Sequence, residues 1–332
     1  MTESKKAEEG SRQMSSPGWP RVAVVGAGAV GGYFGGMLAR SGARVVMIGR
    51  GPFVNAVSGR GLDLDTIQFR EFVRVDASTE LSAVRDAGLV LFCTKTVDTV
   101  ATARALAPHL SPTATVVSLQ NGVDNVERIR AATSIDVLPA AVYVAASMPA
   151  PGHVKHIARG DLVVGPPSDR AQGVACAFER AGIPCRLSDN IQGELWTKLI
   201  WNCALNAISA LGRARYGQIA KDATAWSLVE SAVREVLEVA DANGIVLPEV
   251  HTLDQAMLGT LGIATAMRDA FSSTAQDIIR GKITEIDSLN GYIARRGAEL
   301  GVATPVNQAL YALVKLLEQK SASNAQKFQS FS

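Results

Sequence analysis

The sequence predicts an α/β domain followed by an all-α C-terminal domain. Three observations predict it. Strand-like and helix-like runs alternate up to about Ser188, the pattern of a doubly wound sheet. A glycine-rich turn joins the first strand run to the first helical run. Past Asp189 the β-rich runs vanish and long helical patterns take over. A chain of 332 residues is long enough for two separate cores.

The elements follow in order. Arg21 to Val25 is a short β-branched run and reads as a buried strand. Gly26, Gly28 and Gly31 of GAGAVG then fit G-x-G-x-x-G, with Ala29 and Val30 between them. In this pattern the first glycine allows a tight turn and the second lets the backbone approach a pyrophosphate. The third lets helix and strand pack closely. A helix to about Arg40 and a strand from Ala43 to Ile48 complete the context the motif requires. The reading is therefore a Rossmann-type dinucleotide-binding domain.

The end of that second strand addresses the cofactor. An acidic residue there would hold a ribose 2′-hydroxyl, as NAD binding needs. The chain has Gly49-Arg50-Gly51 instead. A guanidinium suits a 2′-phosphate and offers no acceptor to a hydroxyl, which favours NADP(H). An ordinary surface arginine is the other reading open at Arg50.

Further strands are expected at Leu89–Cys93, Thr115–Leu119, Val137–Ser147, His153–Ile157 and Asp161–Val164. The alternating run from Arg60 to Val75 suits a hairpin insertion. Lys95 and Asn121 fall just past strand ends, where open α/β sheets hold ligands. Helices are expected over 191–211, 223–243, 252–268, 284–300 and 305–320, with Gly244 and Gly301 as stops. The domain limits read as 21–188 and 189–320, with 1–20 a disordered leader and 321–332 a disordered tail. Hinge motion is expected near Pro184 and Gly193.

The helix GELWTKLIWNCALNAISAL carries the candidate chemistry. Lys198, Asn202 and Asn206 are four residues apart, so they share one face of an otherwise apolar helix. Each polar group buried there without a partner would cost ~1–3 kcal/mol, and a charge more. A cation with two amides on such a helix reads as the floor of a polar-ligand site. The bland arrangement has Lys198 snorkelling outward and the amides bonding nearby backbone.

Composition excludes several classes. A net charge of +2 and few aromatic residues give no nucleic-acid footprint. The first twenty residues lack an apolar signal core, and no apolar run reaches membrane-spanning length. Cys93, Cys176, Cys185 and Cys203 lack metal spacing and read as buried thiols of a cytoplasmic protein. His153 and His156 lie three apart in a strand, on opposite faces, which disfavours a metal site.

With these residues in view, the chain resembles the ketopantoate reductases (2-dehydropantoate 2-reductases) from about Arg21 to Lys320. The likeness rests on GAGAVG, CTK and QNG at strand ends, WTKLIWNCALNAISAL, and SSTAQDIIRGKITEIDSLNG. It implies NADPH-dependent reduction of a 2-keto acid, 2-dehydropantoate being the best-known substrate, on the route to pantothenate. It implies Lys198 as general acid with Glu285 as its partner. Asn202, Asn206, Ser273 and Asn121 become substrate contacts. Gly26, Gly28, Ala29, Val30, Gly31, Arg50, Lys95 and Asn121 become cofactor contacts. A homodimer through the helical domain is a further expectation.

Departures leave the substrate open. Val123-Asp124 follows QNG where a further glycine is common, and Thr274-Ala275 after Ser273 are smaller than expected. Both pairs are expected near the substrate or cofactor edge. A paralogue acting on a bulkier 2-keto acid is one competing reading. A non-catalytic NADP(H) sensor is another, disfavoured because a sensor needs the glycine loop but not Lys198 and Glu285.

Overall fold

The computed structural model describes residues 19–329, with side chains described through residue 319. The expected leader lies almost wholly outside the described residues, as do the last three residues of the expected tail.

Strand β1 (Val22–Val25) enters helix α1 (Ala29–Arg40), then β2 (Val45–Ile48) and α2 (Gly51–Arg60). The expected insertion is an antiparallel hairpin, β3 (Leu62–Asp65) and β4 (Arg70–Val73). Strands β5 (Asp76–Ser78), β6 (Leu89–Phe92) and β7 (Thr115–Ser118) follow, with α3 (Thr99–Leu106) before β7 and α4 (Asn125–Ala132) after it. The long strands β8 (Val137–Ala150) and β9 (His153–Val164), α5 (Asp169–Arg180) and β10 (Cys185–Leu187) complete this half.

Six parallel strands run in the order β5-β2-β1-β6-β7-β8, the doubly wound arrangement. The order reverses beside β1, so the crevice opens at its carboxyl end, where the glycine turn lies. The far half of β8 turns back against β9, which pairs parallel with β3 and β10. Three expectations change here. The two strands expected within 153–164 are one, kinked at Arg159 and Gly160, which both take positive φ. Strands β5 and β10 span only three residues each, too short for a periodic signal.

Valines, leucines and isoleucines of the parallel strands are buried on both faces, against α1 and α5 on one side and α3 and α4 on the other. Burial on both faces explains why the strands read as continuous apolar runs rather than alternating ones.

The second half is helical: α6 (Ile191–Gly212), α7 (Tyr216–Lys221), α8 (Ala223–Ala242), α9 (Leu253–Ala266), α10 (Ser273–Ile279), α11 (Asn290–Leu300) and α12 (Pro305–Gln329). Helix α6 is central. Asn190 caps it by accepting from the Gly193 amide at 3.0 Å, and the chain leaves it at Arg213 with φ +49. Trp196, Leu199, Ile200 and Leu205 are almost fully buried, each worth ~1.5–3 kcal/mol of transfer free energy.

The helix expected over 284–300 is broken. A 3-10 turn at Ile286–Ser288 precedes α11, and Glu285 sits ahead of that turn rather than on a helix. Helix α12 continues through residues 321–329, which the sequence reading left as tail. Gly193 is closely packed: a Cβ there would lie 2.3 Å from the Val246 carbonyl, and Asn190 donates to the same oxygen.

The thiols also differ from expectation. Cys185 and Cys203 are buried, Cys93 is partly exposed, and Cys176 is exposed. Helix α5 turns Ala171, Val174, Ala175 and Phe178 inward, which leaves Cys176 on the wet face.

Candidate active site

The glycine turn meets the geometric demands of a dinucleotide loop. Gly26 has φ +103, and a Cβ there would lie 2.7 Å from Cys93 backbone. Gly28 faces open space, and a Cβ on Gly31 would lie 2.3 Å from the Gly26 carbonyl. Gly28 caps α1 without a side chain. The amides of Ala29, Val30 and Gly31 therefore have no side-chain cap and are available to an anion at the positive end of the helix. The donor set fits a dinucleotide pyrophosphate. Arg50 caps α2 at the end of β2 and is exposed, with no side-chain hydrogen bond.

Lys198 lies on α6 facing the first domain. Its ammonium donates to Asn121 Oδ1 at 2.8 Å and to the Val142 carbonyl. The Asn121 amide in turn donates to Glu285 Oε2 at 2.8 Å. Thr96 fixes the other carboxylate oxygen, through its amide at 3.2 Å and its hydroxyl at 3.1 Å. Lys198 and Glu285 therefore do not touch; Asn121 stands between them. Burial pulls the Lys198 pKa down to about 8, while Glu285 pulls it upward.

The amides on α6 divide their work. Asn206 is buried and accepts from the Tyr216 hydroxyl at 2.8 Å, and its amide approaches Asn202 Oδ1 at 3.4 Å. Asn202 is more open, so Asn206 holds it in place. Ser273 is exposed at the start of α10, while its neighbour Ser272 is the buried cap of that helix.

Lys95 crosses the cleft. It pairs with Asp277 at 2.7 Å and donates to the Ile283 carbonyl at 2.6 Å. Burial raises the Asp277 pKa against the lowering effect of Lys95. The sequence reading missed Thr96, the Val142 carbonyl and Asp277. Thr96 directly follows the Lys95 already singled out; the other two carry no local signal. Val123, Thr274 and Ala275 are buried. Asp124 is partly buried, with one carboxylate oxygen unpartnered. No cluster of His, Cys, Asp and Glu able to hold a metal occurs among the described residues. No helix among them is long and apolar enough to cross a membrane.

Comparison with known proteins decides the family. The profile described as "Ketopantoate reductase PanE/ApbA" matches residues 22–169, and its C-terminal counterpart matches 190–318. The chain belongs to the ketopantoate reductase family. It is accordingly an oxidoreductase acting on CH–OH groups, with a dinucleotide-binding first domain. The 2-dehydropantoate 2-reductase of Pyrococcus abyssi is 31% identical across 89% of this chain and 97% of that protein. That of Pyrobaculum aerophilum is 33% identical across 89% and 97%. A PanE/ApbA-family ketopantoate reductase from Ralstonia eutropha JMP134 is 47% identical, with TM-score 0.85, over 91% of this chain and 99% of that one. A D-mandelate dehydrogenase solved with NADH and anilino(oxo)acetate is 25% identical, with TM-score 0.84, over 91% and 99%.

Proposed function

We propose that this chain reduces 2-dehydropantoate to pantoate with NADPH, Lys198 serving as general acid. The observation that carries the reading is the chain Lys198–Asn121–Glu285 across the crevice where the sheet order reverses.

A bound nicotinamide cofactor would supply the hydride. The amides of Ala29, Val30 and Gly31 would hold its pyrophosphate, and Arg50 would pair with the 2′-phosphate. Lys198 keeps its proton below about pH 8 and presents it to the developing alkoxide of the keto group. Asn121 fixes the ammonium, and Glu285 with Thr96 fixes Asn121. Asn202, steadied by Asn206, and Ser273 face the substrate's polar groups. Lys95 bound to Asp277 and Ile283 draws the two domains together and limits water.

A second reading rests on the fold match to D-mandelate dehydrogenase: the same chemistry on an aromatic 2-keto acid. The test is NADPH oxidation with 2-dehydropantoate and with phenylglyoxylate, using purified protein. A kcat/KM at least about tenfold higher for 2-dehydropantoate supports the first reading. The reverse order selects the second, and no oxidation with either acid refutes both.

A further inference from the structure

A bulge in β9 brings two charges close to Lys198. On the facing strand Tyr143 pairs with Asp161 and Val144 with Arg159, so Gly160 is the extra residue. Arg159 holds φ +58 and Gly160 φ +134. The buried His156, its ring stacked on Tyr33, donates from Nε2 to the Arg159 carbonyl and fixes the bulge. Glycine or asparagine would adopt the Arg159 backbone more readily. The side chain, not the backbone, therefore accounts for an arginine here. Residues held in such conformations cluster beside active sites.

The Arg159 guanidinium lies 4.2 Å over the Tyr143 ring and bonds Asp161 through two contacts at 3.0 and 2.7 Å. The Lys198 ammonium lies 5.9 Å from the centroid of the same ring. The two cations are thus no more than about 10 Å apart, close enough to repel. The backbone joins them as well, since the Val142 carbonyl that accepts from Lys198 directly precedes Tyr143. Tyr143 packs against Trp201, with centroids 5.9 Å apart, and its hydroxyl is 3.5 Å from the Glu194 carbonyl.

The other charges around Lys198 have partners of their own. Glu194, one turn earlier on α6, pairs with Arg186 of β10 at 2.6 Å, and Lys95 pairs with Asp277 across the cleft. Glu285 reaches Lys198 through Asn121. Burial holds the Tyr143 phenol up at about 12, so the ring between the two cations is neutral at physiological pH.

We propose that Arg159 and Asp161 are positioning residues that act on Lys198 across the Tyr143 ring, the arginine favouring release of its proton and the aspartate opposing it. The proposal rests on the reading of Lys198 as the general acid, which works best with a proton affinity matched to the working pH. Burial is the main cause of the fall of the Lys198 pKa to about 8; Glu285 opposes it, Arg159 adds to it and Asp161 opposes it.

Competitive acetylation with acetic anhydride reads the Lys198 amine directly, followed by peptide mass spectrometry from about pH 6 to about pH 10. Full-length protein is used without keto acid, at about 0.02 M salt, where screening is weak. Arg159→Gln should move the midpoint up by about 0.3 to 1.2 pH units, the range for charges about 10 Å apart between water and an effective dielectric of 20. Asp161→Asn should move it down within the same range, because the arginine is then unopposed. Arg159→Lys, which keeps the charge, should lie closer to the unaltered protein than Arg159→Gln does. The alkaline limb of kcat/KM should follow these midpoints. A purely structural role would loosen the site in both variants and move both midpoints the same way. Movement in one common direction, or a midpoint that stays put in either variant, overturns the proposal. Each variant is compared with the unaltered protein, so one that fails to fold leaves the other decisive. Opposite midpoints in a protein that oxidises NADPH with no keto acid would uphold the action of the pair and refute the general-acid reading alone.

Discussion

Replacing Glu285 with glutamine removes a charge from the Lys198–Asn121–Glu285 chain while retaining an oxygen that can accept from Asn121. Two hydrogen bonds of 2.8 Å spanned by one amide group join the Lys198 ammonium to the carboxylate. They set the charges roughly 6 Å apart, by ordinary hydrogen-bond geometry. Coulomb attraction over that distance is about 0.7 kcal/mol in water and about 3 kcal/mol at an effective dielectric of 20. This corresponds to a pKa change of about 0.5 to 2 units. The sign follows from the charges. Glu285 favours the ammonium, so its loss lowers the Lys198 pKa further from about 8. The alkaline limb of kcat/KM for keto acid reduction should move down by that amount. At pH 7 the protonated fraction falls from about 0.9 to between about 0.8 and about 0.1. The assay is NADPH oxidation from pH 6 to 9.5, with affinity for NADPH followed in parallel. An alkaline limb that stays put or moves upward would refute the electrostatic link between Glu285 and Lys198.

Other changes test the remaining parts. Lys198→Ala should lower kcat by about a hundredfold or more, as loss of a general acid does, while fluorescence titration finds NADPH affinity unchanged. Arg50→Ala should weaken NADPH by about ten- to hundredfold and spare NADH, the worth of a charge-assisted contact; equal loss for both cofactors contradicts the 2′-phosphate assignment. Gly31→Ala drives a Cβ to 2.3 Å from the Gly26 carbonyl. It should displace the loop and lower both melting temperature and dinucleotide affinity, whereas an unchanged protein would show that the turn is not under this constraint.

Much of the fold was legible because its signals are local. The valine run before GAGAVG, the change of texture after Asp189 and the four-residue spacing of Lys198, Asn202 and Asn206 each fall within a short window. What escaped depends on distant partners. Glu285 looks helical by pattern, yet Thr96 and Asn121 hold it ahead of a 3-10 turn. The Val142 carbonyl is backbone, so no residue type announces it. Lys95 was readable as a residue near the cofactor crevice, but its bond to Asp277 joins elements on opposite domains. Cys176 was misread because a thiol's usual burial says nothing about which face of α5 it occupies.

The separations along the chain carry a consequence for how the protein is made. Asn121 meets Lys198 across 77 residues and Glu285 across 164, and Thr96 meets Glu285 across 189. Loop-closure entropy makes such contacts late events, after the sheet and the helical bundle have each condensed. A nascent chain released only as far as β10 holds the glycine loop but not Lys198, and the segment from α6 onward holds Lys198 and Glu285 but not Asn121. On the proposed function, the cofactor can thus be gripped before it can be used, and competence arrives when the last long-range bonds close.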